Sequence, residues 1–132
     1  MKPAKRDGSE RALRVVIDTG LLVNAFASLA DYANITRNDL ARAADIPLRT
    51  VQRREASHAG KFQRDESDRL ARVARLYAMA EDVLGSRDTA KAWMKSPNRA
   101  LDGARPLDEL DTEIGAREVE DLLGRIRFGV FS

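Results

Sequence analysis

Apolar residues recur along this chain at three- and four-residue spacings, and no stretch sustains an alternation of period two. That spacing marks helices rather than strands. A first stripe runs through Leu22, Ala25, Phe26 and Leu29. A second helix is predicted from Thr36, whose hydroxyl suits an N-cap, with Asp39 at the position of a weak capping box. It continues through Leu40, Ala41 and Ala44 until Asp45-Ile46-Pro47 breaks it. Proline has no N–H to donate and disfavours helix in the residue before it. Pro47 also suits a helix start, so the next helix covers Leu48 to about Glu55, with Leu48 and Val51 inward and arginines outward. Ser57-His58-Ala59-Gly60-Lys61 is a connection that turns at Gly60.

The second half reads in the same way. Asp65, Glu66 and Asp68 complement the dipole of a helix start, and that helix runs to Leu84 with Gly85 as its stop. Leu70, Val73, Ala74, Leu76, Tyr77, Ala80, Val83 and Leu84 span a wide apolar arc. An arc that wide contacts more than one neighbour and makes this helix the spine; an interface between copies fits the same pattern. A short helix over Thr89–Lys95 presents Ala90, Trp93 and Met94, with Trp93 read as core. Ser96-Pro97-Asn98-Arg99 ends it, and residues 97–106 form a loop. Pro106 opens a single turn through Leu107 and Leu110. The last helix starts near Asp111-Thr112, is lined by Val119, Leu122, Leu123 and Ile126, and ends at Gly129 before an apolar tail, Val130-Phe131-Ser132. Val15-Val16-Ile17 reads as a short strand or an approach segment. The expected class is all-α with about seven helices, divided into a flexible basic tail (1–12), an N-terminal unit (13–64) and a C-terminal helical unit (65–132).

Composition narrows the chemistry. The 132 residues include no cysteine and one histidine, His58. Disulfides, thiolate zinc sites and cysteine nucleophiles are therefore excluded, as is any site needing two histidines. No cofactor and no metal are expected. The apolar runs are too short to span a bilayer, and the start has basic residues without an apolar core, so it does not read as a secretory signal. The expectation is a cytoplasmic protein with no membrane partner. The net charge of +2 hides an asymmetry: residues 1–64 hold 12 basic and 7 acidic side chains, whereas residues 65–132 hold 11 and 14. Charge asymmetry of this kind points to two different partners, one of them a polyanion. Eight acids within residues 100–121 invite a reading as acid–base pairs. Most fall in helix first turns or on outward faces, where a solvated role suffices, and no glycine-rich phosphate loop accompanies them. The chain does not read as an enzyme.

The basic half carries a helix-turn-helix pattern. Leu40, Ala41, Ala44, Ile46, Leu48 and Val51 pack two helices across a tight turn, and small Ala41 lets them approach. The outer face of the second helix then offers Arg49, Thr50, Gln52 and Arg53, side-chain types that bond base edges in a major groove. Arg37, Arg42 and Arg54 stand where backbone phosphates would be met. Asp45 occupies a turn position where glycine is common, and aspartate tolerates the left-handed backbone better than most residues. A hairpin that serves only as scaffold satisfies the same spacing.

The acidic half adds a more specific pattern. Trp93-Met94-Lys95-Ser96-Pro97-Asn98 is followed by Thr112-Glu113-Ile114-Gly115-Ala116-Arg117-Glu118-Val119. With the stretch from Asp65 onward, this resembles the Xre/ParS/MbcA antitoxins of type II toxin–antitoxin systems, over about residues 17–132. The resemblance implies an N-terminal helix-turn-helix packed on a C-terminal toxin-binding domain. It implies a RES-domain toxin as partner, an NAD-consuming enzyme whose active-site cleft the antitoxin blocks, and repression of the antitoxin's own promoter through operator DNA. A homodimer is expected, since helix-turn-helix proteins usually read two half-sites, with higher hetero-oligomers formed with toxin. Toxin contacts would come from Asn98 and Arg99 in the loop and from Arg125, Phe128, Phe131 and Ser132 at the end of the last helix. Asn98 serves equally as a turn cap, and Phe131 equally as a residue folded onto the core. A stand-alone helix-turn-helix regulator whose C-terminal half dimerises is the alternative.

Overall fold

Six α-helices and two 3-10 turns make up the chain over residues 23–129, the part described in the computed structural model. They are α1 (Val23–Ala33), α2 (Arg37–Ala43), α3 (Leu48–Glu55), α4 (Arg64–Leu84), α5 (Arg87–Lys95), the turns Arg99–Leu101 and Pro106–Glu109, and α6 (Glu113–Arg127). No β-strand occurs among the described residues, so the all-α expectation stands. The basic tail, the Val15–Ile17 run and the residues from Val130 onward lie outside the described residues.

Local chemistry sets most boundaries. Thr36 Oγ1 accepts the Asp39 N–H at 3.0 Å and starts α2. Pro47 is the N-cap of α3 without a side-chain bond. Gly85 closes α4 in the left-handed region at φ 96°, where a Cβ would be strained. Thr112 Oγ1 accepts the Gly115 N–H at 3.0 Å and starts α6. Two details differ from the sequence reading. Helix α5 begins at Arg87 rather than Thr89, because Ser86 is the cap and accepts the Thr89 N–H at 3.1 Å. The 97–106 loop winds a 3-10 turn, because Asn98 Oδ1 accepts the Ala100 N–H at 2.9 Å.

Helix α4 is the spine. Leu70, Val73, Leu76, Tyr77 and Ala80 are buried along it, and α1, α5 and α6 all pack on it. The wide arc is thus occupied within one chain. Phe26, Leu40 and Val51 fill the N-terminal side of the core, and Met94, Leu107, Leu110, Val119 and Leu123 the other. Each such side chain contributes on the order of 1.5–3 kcal/mol by leaving water. Trp93 packs half-buried against this core, as expected.

Polar ties join the two sides. Tyr32 Oη donates to Glu81 at 2.6 Å, and Lys95 Nζ to the Asn34 carbonyl at 2.8 Å. Arg72 donates to the Leu110 carbonyl at 2.9 Å, holding the Pro106 turn on α4. Gly115 lets α6 start hard against that turn, since a Cβ there would overlap the Glu109 carbonyl oxygen.

Candidate functional site

Helices α2 and α3 meet across Ala44–Pro47, with Asp45 at φ 55° in the left-handed region that the sequence anticipated. The Ile46 N–H closes the turn onto the Ala41 carbonyl at 2.9 Å. Buried Leu40, Ala41, Ala44, Ile46 and Val51 hold the two helices together. On the outside of α3, Arg49, Gln52 and Arg53 are exposed on one face, and Thr50 lies half-buried at its flank. A helix with such a face suits a major groove: the amide and guanidinium groups reach base edges, and the charge draws phosphates.

The flanking arginines are engaged differently. Arg37 donates to Glu55 at 2.7 Å, and its guanidinium stands 5.4 Å from the Phe26 ring centre. Both partners are partly exposed, so the ion pair is weak and water or phosphate can compete for it. Arg42 lies 3.8 Å from Asp108 and is largely exposed. Arg54, expected beside a backbone phosphate, is bonded within the fold. It turns inward and gives Glu66 a two-pronged bond, Nε at 3.1 Å and Nη2 at 2.8 Å. Glu66 also accepts the Gln63 N–H at 2.8 Å. Burial pushes the Glu66 carboxyl up, but the bonds from Arg54 and Gln63 outweigh it and hold the carboxyl below its ordinary value.

A second candidate surface lies at the end of α6. An open groove of about 520 Å³ is lined by Met79, Glu120, Asp121, Gly124, Arg125 and Phe128. Phe128 is 77% exposed at its edge. Ile114, at the start of the same helix, is 76% exposed, and sequence reasoning missed it. Fourteen residues on a helix turn through nearly four full turns, so Ile114 and Phe128 fall on roughly one face, about 21 Å apart. Two exposed apolar side chains thus bracket Asp121 and Arg125 on one face of α6.

Of the other expected contacts, Arg125 lines the groove, whereas Asn98 and Arg99 do not. The Asn98 side chain caps its own turn, and its N–H donates to the Ala104 carbonyl at 3.0 Å. Arg99 is exposed. Phe131 and Ser132 lie outside the described residues.

Several acids of the C-terminal half are engaged within the fold. Asp108 accepts two bonds from Arg105, both at 2.8 Å. Those bonds hold its carboxyl below the usual range against a smaller push from burial. Glu120 pairs with Arg75 at 3.6 Å. Among the described residues, no group of three or more His, Asp or Glu side chains could hold a metal ion, and no helix is long and apolar enough to cross a membrane.

Residues 13–75 match the family described as the antitoxin Xre-like helix-turn-helix domain. Residues 79–129 match the antitoxin Xre/MbcA/ParS C-terminal toxin-binding domain. The two matches adjoin within α4. An antitoxin Xre of Photorhabdus laumondii is 39% identical over 91% of this chain and 81% of its own. One of Yersinia enterocolitica is 41% identical over 88% and 78%. Among solved structures, a chain of the MbcT–MbcA toxin–antitoxin complex of M. tuberculosis superposes with a TM-score of 0.58 at 28% identity. That match covers 85% of this chain and 98% of the other.

Proposed function

The chain belongs to the Xre/MbcA/ParS antitoxin family, and on that premise we propose that it neutralises a RES-domain, NAD-consuming toxin by binding it and obstructing its active-site cleft. In the same reading it represses its own operon as a cytoplasmic homodimer. That it is a toxin–antitoxin antitoxin with a helix-turn-helix domain follows from family membership. It acts by binding and not by catalysis.

The observation that carries the reading is the separation of two surfaces with different chemistry. Arg49, Gln52 and Arg53 stand on α3. Phe128 and Arg125 edge a groove on α6, within the stretch that matches the toxin-binding family. Aromatic and arginine side chains are favoured anchors at protein interfaces, and a cationic helix face suits DNA. We assign base-edge contacts to Arg49, Thr50, Gln52 and Arg53, with Arg37 meeting phosphate. We assign toxin contacts to Arg125 and Phe128, and to Phe131 and Ser132 beyond them.

The test is co-expression with the toxin encoded beside it, read as growth rescue, co-purification and promoter activity. Phe128→Asp loses neutralisation, with affinity down roughly 30-fold or more, as for a central interface anchor. Its melting temperature barely moves, because the ring is already in water. Arg49→Ala with Arg53→Ala keeps neutralisation and loses repression. Full rescue by Phe128→Asp would refute the placement of the toxin contact, and failure of the wild type to co-purify would refute the antitoxin pairing with that toxin.

A further inference from the structure

Glu66 is the one charged side chain that is buried among the described residues, at 7% exposure. Taking a carboxylate out of water is costly unless its partners are well placed, and here they are. Arg54 grips it with both prongs, and the Gln63 N–H supplies a third bond. The pair links the last turn of α3 to the first turn of α4. Helix α3 needs such a link, because among its eight residues only Val51 is buried. Leu48 packs beside it only partly buried, so apolar contact fixes the distance of α3 from its neighbours better than its roll about its own axis. Arg69, one turn further along α4, ties the other end of the motif. Its Nε donates to the Ala44 carbonyl at 2.8 Å and its Nη2 reaches the Asp45 carbonyl at 3.4 Å, inside the turn between α2 and α3.

We infer that Glu66 is a positioning residue for DNA reading: through Arg54 it sets the roll of α3, and so the direction in which Arg49, Gln52 and Arg53 point. Arg54 is then part of the mount rather than a phosphate contact. The proposal rests on α3 being the DNA-reading helix and adds what aims it. A guanidinium is suited to this task because its planar fork fixes orientation as well as distance, which a lysine ammonium does not.

The experiment uses the full chain and two labelled duplexes, one from upstream of its own gene and a scrambled duplex of the same composition. Affinity is measured across a salt series, at a temperature where circular dichroism shows each variant fully folded. Glu66→Gln and Arg54→Lys are expected to lose about 10-fold on the operator duplex, while binding to the scrambled duplex and the slope of log K against log salt hold. Arg54→Lys removes the fork and keeps the charge, so it serves if Glu66→Gln proves unstable. Arg37→Ala, which removes the assigned phosphate contact, is expected to lower the salt slope by about 0.9. Arg54→Ala is expected to leave that slope unchanged. Operator preference that persists in Glu66→Gln and Arg54→Lys overturns the proposal, as does a slope loss in Arg54→Ala equal to that of Arg37→Ala. A wild type that does not discriminate the two duplexes refutes the DNA-reading assignment itself, and the proposal with it.

Discussion

Replacing Gly115 with alanine sets two effects against each other within one helix. Alanine is the better helix former, by about 1 kcal/mol. A Cβ at this position, however, overlaps the Glu109 carbonyl oxygen and comes within 3.0 Å of Thr112 Oγ1. The obstacle is backbone, so it cannot simply swing away. Either α6 or the Pro106 turn must shift, and the turn carries Leu107 and Leu110, both buried. Strain of that kind costs about 1–3 kcal/mol, and disturbing the Thr112 cap adds about 1 kcal/mol. The net expectation is a loss of about 2 kcal/mol. For a domain of this size that is a fall in Tm of roughly 8 °C. Gly124 is the internal control, since it lies on the same helix and a Cβ there meets nothing within 4 Å. Gly124→Ala therefore keeps only the propensity gain and should raise Tm by a few degrees. Thermal melts of both variants followed at the helical circular-dichroism band decide the matter. Shifts of the same sign in the two variants, or an unchanged Tm for Gly115→Ala, would refute the reasoning.

Two further outcomes follow from backbone and titration. Asp45 holds φ 55° without a glycine and is exposed, so Asp45→Gly should stabilise by up to about 1 kcal/mol in urea unfolding with the m-value unchanged. Tyr32 has its hydroxyl pushed up to about 12, first by burial and then by its bond to Glu81 and that carboxylate's charge, with Arg87 pulling the other way. The raised value favours the neutral phenol in the fold. Its contribution is therefore full below about pH 10 and lost as pH climbs towards 12. Tyr32→Phe should flatten the alkaline decline in Tm and leave Tm near neutral pH only slightly lower.

The elements that sequence could reveal are those whose causes lie within a few residues. Thr36, Pro47, Gly85 and Thr112 act on their own turns, so the starts of α2, α3 and α6 and the end of α4 were legible. The left-handed turn at Asp45 was legible for the same reason. What escaped depends on partners further off. An arginine on an exposed-looking helix reads the same whether it faces phosphate or a carboxylate. Arg54 finds its carboxylate 12 residues away, across a connection whose path nothing local dictates. Glu66, read as one of several acids at a helix start, became the buried one because Arg54 lies over it. Ile114 was passed over because one apolar residue in a first turn carries no periodic signal, and its exposure follows only from how α6 lies on α4. Asn98 fits both a cap and a contact in sequence, and only the closed turn shows its side chain already bonded.

Helix α4 bears on how long the molecule survives in a cell. It is a single 21-residue rod to which α1, α5 and α6 are all attached. A protease cut within Arg64–Leu84 would not release two working pieces. Each fragment would retain half a core, with Leu70 or Leu76 and their neighbours opened to water. Because both sides of the core rest on that one rod, unwinding it would disturb the α3 face and the α6 groove together.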